Sequence, residues 1–309
     1  MKRYLALAAA LAVMGSSCST GAQDGGGRPL VIATTTVLGD IVAQTAGDAV
    51  QVEVLMPIGA DPHDFSPSAQ QAVRLREAAL VVANGVGLEE GGLLEVIDSA
   101  ENDGVSVIKV GELLDPQPYV AGSEAGELEH SGEDTRGLDP HVWMDPVRMA
   151  DAVGLIADRL TTSAGVDVSD SAAAYRAQIL DLHDEITRMM EEVPPDRRKM
   201  VTNHFSYGYY ATRYGLVILG SVIPAATTGA ETSAADFAAL VDLLEREGVS
   251  VIFGSTTEPA TLADALAEEV GYEVKVVKLY TGSLGETGSG AETYLDMMRT
   301  TSRLIVENL

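Results

Sequence analysis

Met200-Val201-Thr202-Asn203-His204-Phe205-Ser206-Tyr207-Gly208-Tyr209-Tyr210-Ala211-Thr212-Arg213-Tyr214-Gly215-Leu216-Val217-Ile218-Leu219-Gly220-Ser221-Val222 reads as one strand, a polar turn, a helix and a second strand. Residues 200–203 form a short apolar run of strand length, residues 206–214 a helical stretch and residues 216–222 a Val/Ile/Leu-rich run. A strand that returns to a strand through a helix belongs to a parallel sheet, so this unit predicts an α/β fold. His204 stands in the turn directly after the first strand. In parallel sheets that position faces the crevice where ligands bind.

The same alternation extends in both directions. Downstream, residues 249–253 and 274–280 read as further strands, with helices over 233–247 and 258–270. Upstream, residues 29–36, 50–58, 80–86 and 105–110 read as four more strands, with a helix over 66–78. Their Val and Ile content, without clean polar alternation, suits strands buried on both faces. Two such sets predict two lobes, over 29–168 and 194–309. Between them, residues 169–192 carry Tyr175, Ile179, Leu182, Ile186 and Met189 at spacings of three and four, the stripe of an amphipathic helix. Pro194-Pro195 stops it. Its length is about 36 Å, enough to brace two lobes from behind. His183 sits beside the stripe and reads as a surface or boundary residue. Residues 117–137 hold Glu124, Glu127, Glu129, His130, Glu133 and Asp134 without periodicity. They read as a surface loop, or as a weak metal-collecting one.

Three of only five histidines share one design. His63 lies in Ala60-Asp61-Pro62-His63-Asp64-Phe65, His141 in Asp139-Pro140-His141-Val142-Trp143-Met144-Asp145-Pro146, and His204 in the turn already quoted. Each follows a predicted strand in a short polar turn. Imidazole is a favoured ligand for zinc and its neighbours in the transition series. Ligands this far apart in sequence meet only where loops from several strands converge, so the expected metal centre, His63, His141 and His204, is made by the whole fold. Asp145 is placed to cap a helix that Pro146 begins. Asp61, Asp64 and Asp139 neighbour the histidines and either orient the rings or shape the turns.

These segments resemble the metal-binding branch of bacterial solute-binding proteins (cluster A-I), the zinc and manganese receptors of ABC importers. Residues 59–65 look like that family's first ligand loop, residues 139–146 like its second and residues 204–216 like its third. Residues 292–309, with Tyr294-Leu295-Asp296-Met297-Met298, resemble its closing helix. The resemblance covers nearly all of the chain after the leader. It implies two α/β lobes, each a parallel sheet flanked by helices, joined by one long rigid helix over 169–193, with the ion held between them. By that match His63, His141 and His204 are the ligands. Many relatives add a carboxylate after the last strand, where this chain has Gly282 in Leu279-Tyr280-Thr281-Gly282-Ser283-Leu284. The fourth position is then left to water, or to a carboxylate such as Glu231 or Glu286. Three imidazoles with one weak ligand favour zinc over manganese, which prefers more oxygen. The implied partners are the ion, an ABC permease in the membrane and a metallochaperone, with the chain a monomer.

The N-terminus reads as an export signal. Lys2 and Arg3 precede the mostly apolar run 4–14, which is too short to span a bilayer. Gly15-Ser16-Ser17-Cys18 resembles a lipobox, with Gly15 where Leu, Val or Ile is usual. The resemblance implies cleavage after residue 17, a lipid on Cys18 and an extracytoplasmic protein anchored to the cell membrane. Cys18 is the only cysteine, which excludes an internal disulfide. Residues 18–28 read as a flexible tether, with Thr20 to Arg28 rich in glycine and polar side chains. Loss of residues 1–17 removes Lys2 and Arg3 and no acid, so the formal charge of −26 becomes −28. That charge excludes a general nucleic-acid role and is compatible with a cationic ligand. The alternatives are a manganese receptor of the same type, a metal-dependent hydrolase and an adhesin. Three histidines and a water also make catalytic zinc sites, but no HExxH motif is present and no acid or base is announced by motif. The expectation is therefore a receptor rather than an enzyme.

Overall fold

The computed structural model describes residues 27–119, 137–225 and 227–309. The leader, Cys18 and most of the tether lie outside the described residues, as do nearly all of the acidic loop and His130. The described residues form two four-stranded sheets, and every pairing in both is parallel. The first contains β1 (Leu30–Ala33), β2 (Gln51–Val54), β3 (Leu80–Ala83) and β4 (Val107–Lys109) in the order β2-β1-β3-β4. The second contains β5 (Lys199–Thr202), β6 (Val217–Ser221), β7 (Val251–Ser255) and β8 (Lys275–Leu279) in the order β6-β5-β7-β8. The two lobes therefore repeat one topology. Helices α1 (Thr36–Ala46), α2 (Ala69–Leu75), α3 (Gly91–Asn102) and α4 (Pro146–Arg159) serve the first. Helices α6 (Gly208–Tyr214), α7 (Ala234–Glu247), α8 (Thr261–Glu269) and α9 (Tyr294–Asn308) serve the second, and α5 (Ser169–Glu191) joins them.

Side-chain alternation along the strands explains the layering. Val31, Ala33, Leu80 and Val82 enter one apolar cluster with Val153 and Ile156 of α4, whereas Ile32, Val81 and Ala83 enter another with Leu93 and Ile97 of α3. In the second lobe Met200, Ile218 and Phe253 join the first cluster, and Val201 and Ile252 pack with Leu240, Leu244 and Leu266 on the far side. One core thus runs unbroken from the inner face of one sheet to that of the other. Helix α5 lies along it, in contact with α1, α4 and α9. Its buried face is Ala172, Tyr175, Ile179, Leu182, Ile186 and Met190. Each large member stabilises the packing by about 1.5–3 kcal/mol. The stripe corrects the expectation at its last member: spacings of four from Leu182 reach Ile186 and then Met190, which leaves Met189 only partly buried.

The strands are shorter than the apolar runs. The run 29–36 ends early because Thr35 caps α1, its side chain accepting from the Leu38 amide. In the run 50–58 the strand ends at Val54, although the Leu55 and Met56 amides still donate to the Ala33 and Thr34 carbonyls and both side chains are buried. A helix beginning at residue 258 is also corrected. Helix α8 starts at Thr261, and residues 256–259 form the turn that leaves β7. Among the described residues no helix is long and apolar enough to cross a membrane.

Candidate metal centre

Histidine 204 leaves the sheet within two residues of β5, so its backbone is fixed by the strand. The Thr202 hydroxyl donates to the His204 carbonyl at 2.9 Å, and the Asn203 amide donates to the Phe253 carbonyl of β7 at 2.9 Å. His141 has no strand immediately before it, and its loop is held from several sides instead. The Asn84 side chain donates to the Pro140 carbonyl at 2.9 Å, and the Asp139 amide donates to the Gln117 carbonyl at 2.7 Å. From the second lobe, Tyr209 donates its hydroxyl to the Asp139 carbonyl at 2.8 Å. Asp145 caps α4 by accepting from the Val147 amide, with Pro146 in the first turn, as the sequence predicted. The same carboxylate receives both arms of the Arg213 guanidinium, at 2.9 and 2.6 Å, and so ties α4 to α6.

His63 lies nine residues past β2 on a loop latched to the opposite lobe. The Gly59 amide donates to Ser283 Oγ at 2.9 Å, and Thr228 Oγ1 donates to Asp61 Oδ2 at 2.6 Å. Asp61 Oδ1 accepts from the His63 amide at 3.0 Å, so this carboxylate shapes the turn rather than orienting the ring. Asp64 is exposed.

The three rings converge. His63 Nε2 and His204 Nε2 each lie 3.2 Å from His141 Nε2. One ligand atom from each of His63, His141 and His204 falls within 4.8 Å of the others, an arrangement that could hold a metal ion. His141 and His204 are buried and His63 is half-buried. Nitrogen lone pairs brought this close repel unless a proton or a cation lies between them. Burial, and then the neighbouring imidazoles, hold His63 and His141 well below the usual imidazole range. Those two rings are thereby kept neutral, the form that ligates a metal.

Behind the rings the three histidines differ. Asp139 Oδ1 lies 2.7 Å from His141 Nδ1, and burial pushes its carboxyl up to about 7. Glu258 Oε1 lies 3.1 Å from His204 Nδ1. Among the described residues His63 Nδ1 is buried without a hydrogen-bond partner. Glu258 is a residue the sequence reading missed. Its signal was a carboxylate three residues past a strand end and just before Pro259, hidden inside an apparent helix.

Gly282 lines the same pocket as His63, His141, His204 and Glu258, whereas Glu231 and Glu286 are exposed and do not line it. Gly282 does not occupy the left-handed region. A Cβ built there would stand 2.9 Å from Pro62 Cδ and 3.2 Å from Pro62 Cγ. Glycine is therefore required by the approach of the His63 loop. His183 lies apart, its Nδ1 3.2 Å from the Tyr214 hydroxyl.

Residues 31–308 match the family described as the periplasmic zinc-uptake complex component A. The manganese-binding lipoprotein MntA of Halalkalibacterium halodurans is 26% identical over 94% of this chain and 92% of its own length. The zinc-binding lipoprotein AdcA of Streptococcus pneumoniae is 26% identical over 96% of this chain and 59% of its own length. Among solved structures, the periplasmic zinc-binding protein TroA of Treponema pallidum superposes with a TM-score of 0.80 at 26% identity, covering 91% of this chain and 99% of that one.

Proposed function

We propose a function from the premise that the chain belongs to the family of the periplasmic zinc-uptake complex component A: it is an extracytoplasmic receptor that captures zinc between its lobes and delivers it to an ABC permease. The observation that carries this reading is the meeting of three Nε2 atoms, two contacts of 3.2 Å, contributed by loops from both lobes. His63, His141 and His204 are the ligands. Because His63 comes from one lobe's loop and His204 from the other's sheet, binding and lobe closure are one event, and opening the lobes dismantles the site. Release to a permease needs no chemistry beyond that opening.

Three imidazole ligands suit zinc; manganese, which relatives of this chain are named for binding, prefers more oxygen among its ligands. The pocket beside the ligands is lined by Asp61, Pro62, Thr257, Glu258, Thr281 and Gly282. Pro62 packs against Gly282 across it, which suits a closed cage for an ion rather than a hydrolase's substrate cleft. We assign residues 29–168 to one lobe, 169–193 to the linking helix and 194–309 to the other, with residues 1–17 as leader and 18–28 as a tether anchored through a lipid on Cys18. In that arrangement the receptor works as a monomer beside its permease, and a metallochaperone is a partner able to load it.

The test is elemental analysis of protein purified without chelator or nickel resin. One zinc per chain supports the reading. Manganese in its place would support the alternative receptor, and the absence of any transition metal, together with failure to bind added zinc, would end both.

A further inference from the structure

We infer that Glu258 is a positioning residue of the metal centre: it holds His204 as the Nδ1–H tautomer and, with Asp139, supplies a carboxylate behind a ligand ring that balances the charge of the ion. This rests on the zinc-receptor reading. The first observation is geometric. Glu258 Oε1 stands 3.1 Å from His204 Nδ1 at an angle that does not complete a hydrogen bond, and among the described residues neither atom has any other partner. Both side chains are buried, at 6% and 4% exposure. A buried imidazole N–H and a buried carboxylate oxygen left unmatched each carry a desolvation cost, so they satisfy one another at a small rotation of the ring.

The second observation is how Glu258 is itself held. Its other oxygen, Oε2, accepts from the Asn203 side-chain amide, the residue next to the ligand. The carboxylate therefore bridges the exit turn of β7 to that of β5, and the ring of His204 is set by two strands rather than one. Fixing the proton on Nδ1 leaves the Nε2 lone pair free, and Nε2 is the atom that meets the other two rings.

The third observation is charge. A divalent ion on three neutral imidazoles carries its full charge into a buried pocket, where unbalanced charge is costly. Gly282 supplies none. Asp139 lies behind His141 and Glu258 behind His204, each in contact with the Nδ1 side of a ring, where an ionised carboxylate offsets the charge of an ion held in front. Carboxylates so placed also raise the basicity of the imidazole they touch.

Three measurements test this. In the zinc-bound wild-type chain, long-range 1H–15N spectra should show His204 protonated at Nδ1 and bonded to zinc through Nε2; coordination through Nδ1 would overturn the proposal without any variant. Glu258→Gln removes the charge at nearly constant shape, and should weaken zinc binding by about 10- to 100-fold. Glu258→Asp should recover part of that loss. The d–d absorption bands of the cobalt-loaded chain should shift in Glu258→Gln, whereas a purely structural role would leave them in place. The exposed Glu95→Gln removes the same charge elsewhere and should change none of these. Glu258→Gln with wild-type zinc affinity and an unshifted cobalt spectrum would refute the role of Glu258. Failure of the wild-type chain to bind zinc at all would instead refute the receptor reading.

Discussion

Gly282→Ala tests how tightly the cage closes, and its effect can be worked from the contacts. The new methyl would meet Pro62 Cδ at 2.9 Å and Pro62 Cγ at 3.2 Å. Carbon atoms pack best at about 3.5–4.0 Å, so the proline ring must retreat by roughly 0.6 Å. It cannot retreat alone. The ring is stiff, and its loop is pinned by the Gly59–Ser283 and Asp61–Thr228 hydrogen bonds. His63 follows Pro62 directly, so its ring moves with it. A metal site tolerates about 0.2 Å of error in ligand distance. Overpacking of this kind costs about 1–3 kcal/mol, paid by the closed, metal-bound state. Zinc affinity should therefore fall by about 5- to 150-fold, read by competition with a chelator of known affinity, with thermal melts of the metal-free chain as a control. Gly282→Asp carries the same steric load and adds an oxygen. Its manganese-to-zinc affinity ratio should rise above that of Gly282→Ala if residue 282 faces the ion. A folded Gly282→Ala chain with wild-type zinc affinity would show that the Pro62–Gly282 contact does not limit closure.

Alanine at His63, His141 or His204 should each weaken zinc binding by about two orders of magnitude or more, a quarter share of the free energy of a four-ligand zinc site, while His183→Ala should leave titrations unchanged; equal damage from His183→Ala would refute the assignment. Binding should weaken as pH falls below 7. Burial pushes the Asp139 carboxyl up to about 7 in the metal-free chain, so below that pH the group is protonated and the arriving ion must expel the proton. Calorimetry in buffers of different ionisation enthalpy should show about one proton released per zinc near pH 6 and fewer near pH 8; equal release at both would refute this linkage. Cys18→Ser removes the sole thiol available for lipid, and should shift the protein from the membrane fraction to a soluble or unprocessed pool; a processed Cys18→Ser chain still tightly bound to membranes would refute the anchor.

The fold was legible because its signals are local and redundant. The alternation of Val- and Ile-rich runs with helical stretches reports parallel strands, and residues 200–222 alone specify one such unit; the expected burial fails at β2, an edge strand whose residues are exposed or half-buried. Strand lengths were less legible, because an apolar run continues past the strand end: Leu55 and Met56 are buried, more deeply than β2 before them, but lie outside it. The three histidines stood out by number and by their turns. Glu258 did not, because one glutamate near a helix start has an ordinary explanation, and only the pairing of β5 with β7 brings its turn beside Asn203 and His204. The reason for Gly282 was likewise invisible. Its neighbour Pro62 is 220 positions away, and nothing local at residue 282 announces that a loop from the other lobe rests on it.

X-ray absorption at the zinc edge, on the zinc-loaded chain, addresses the metal centre most directly. Three imidazole nitrogens at about 2.0–2.1 Å, with the imidazole scattering pattern reduced by one ring in His141→Ala, is the expected result. A first shell dominated by oxygen, or a spectrum unchanged in His141→Ala, would contradict a centre built from His63, His141 and His204.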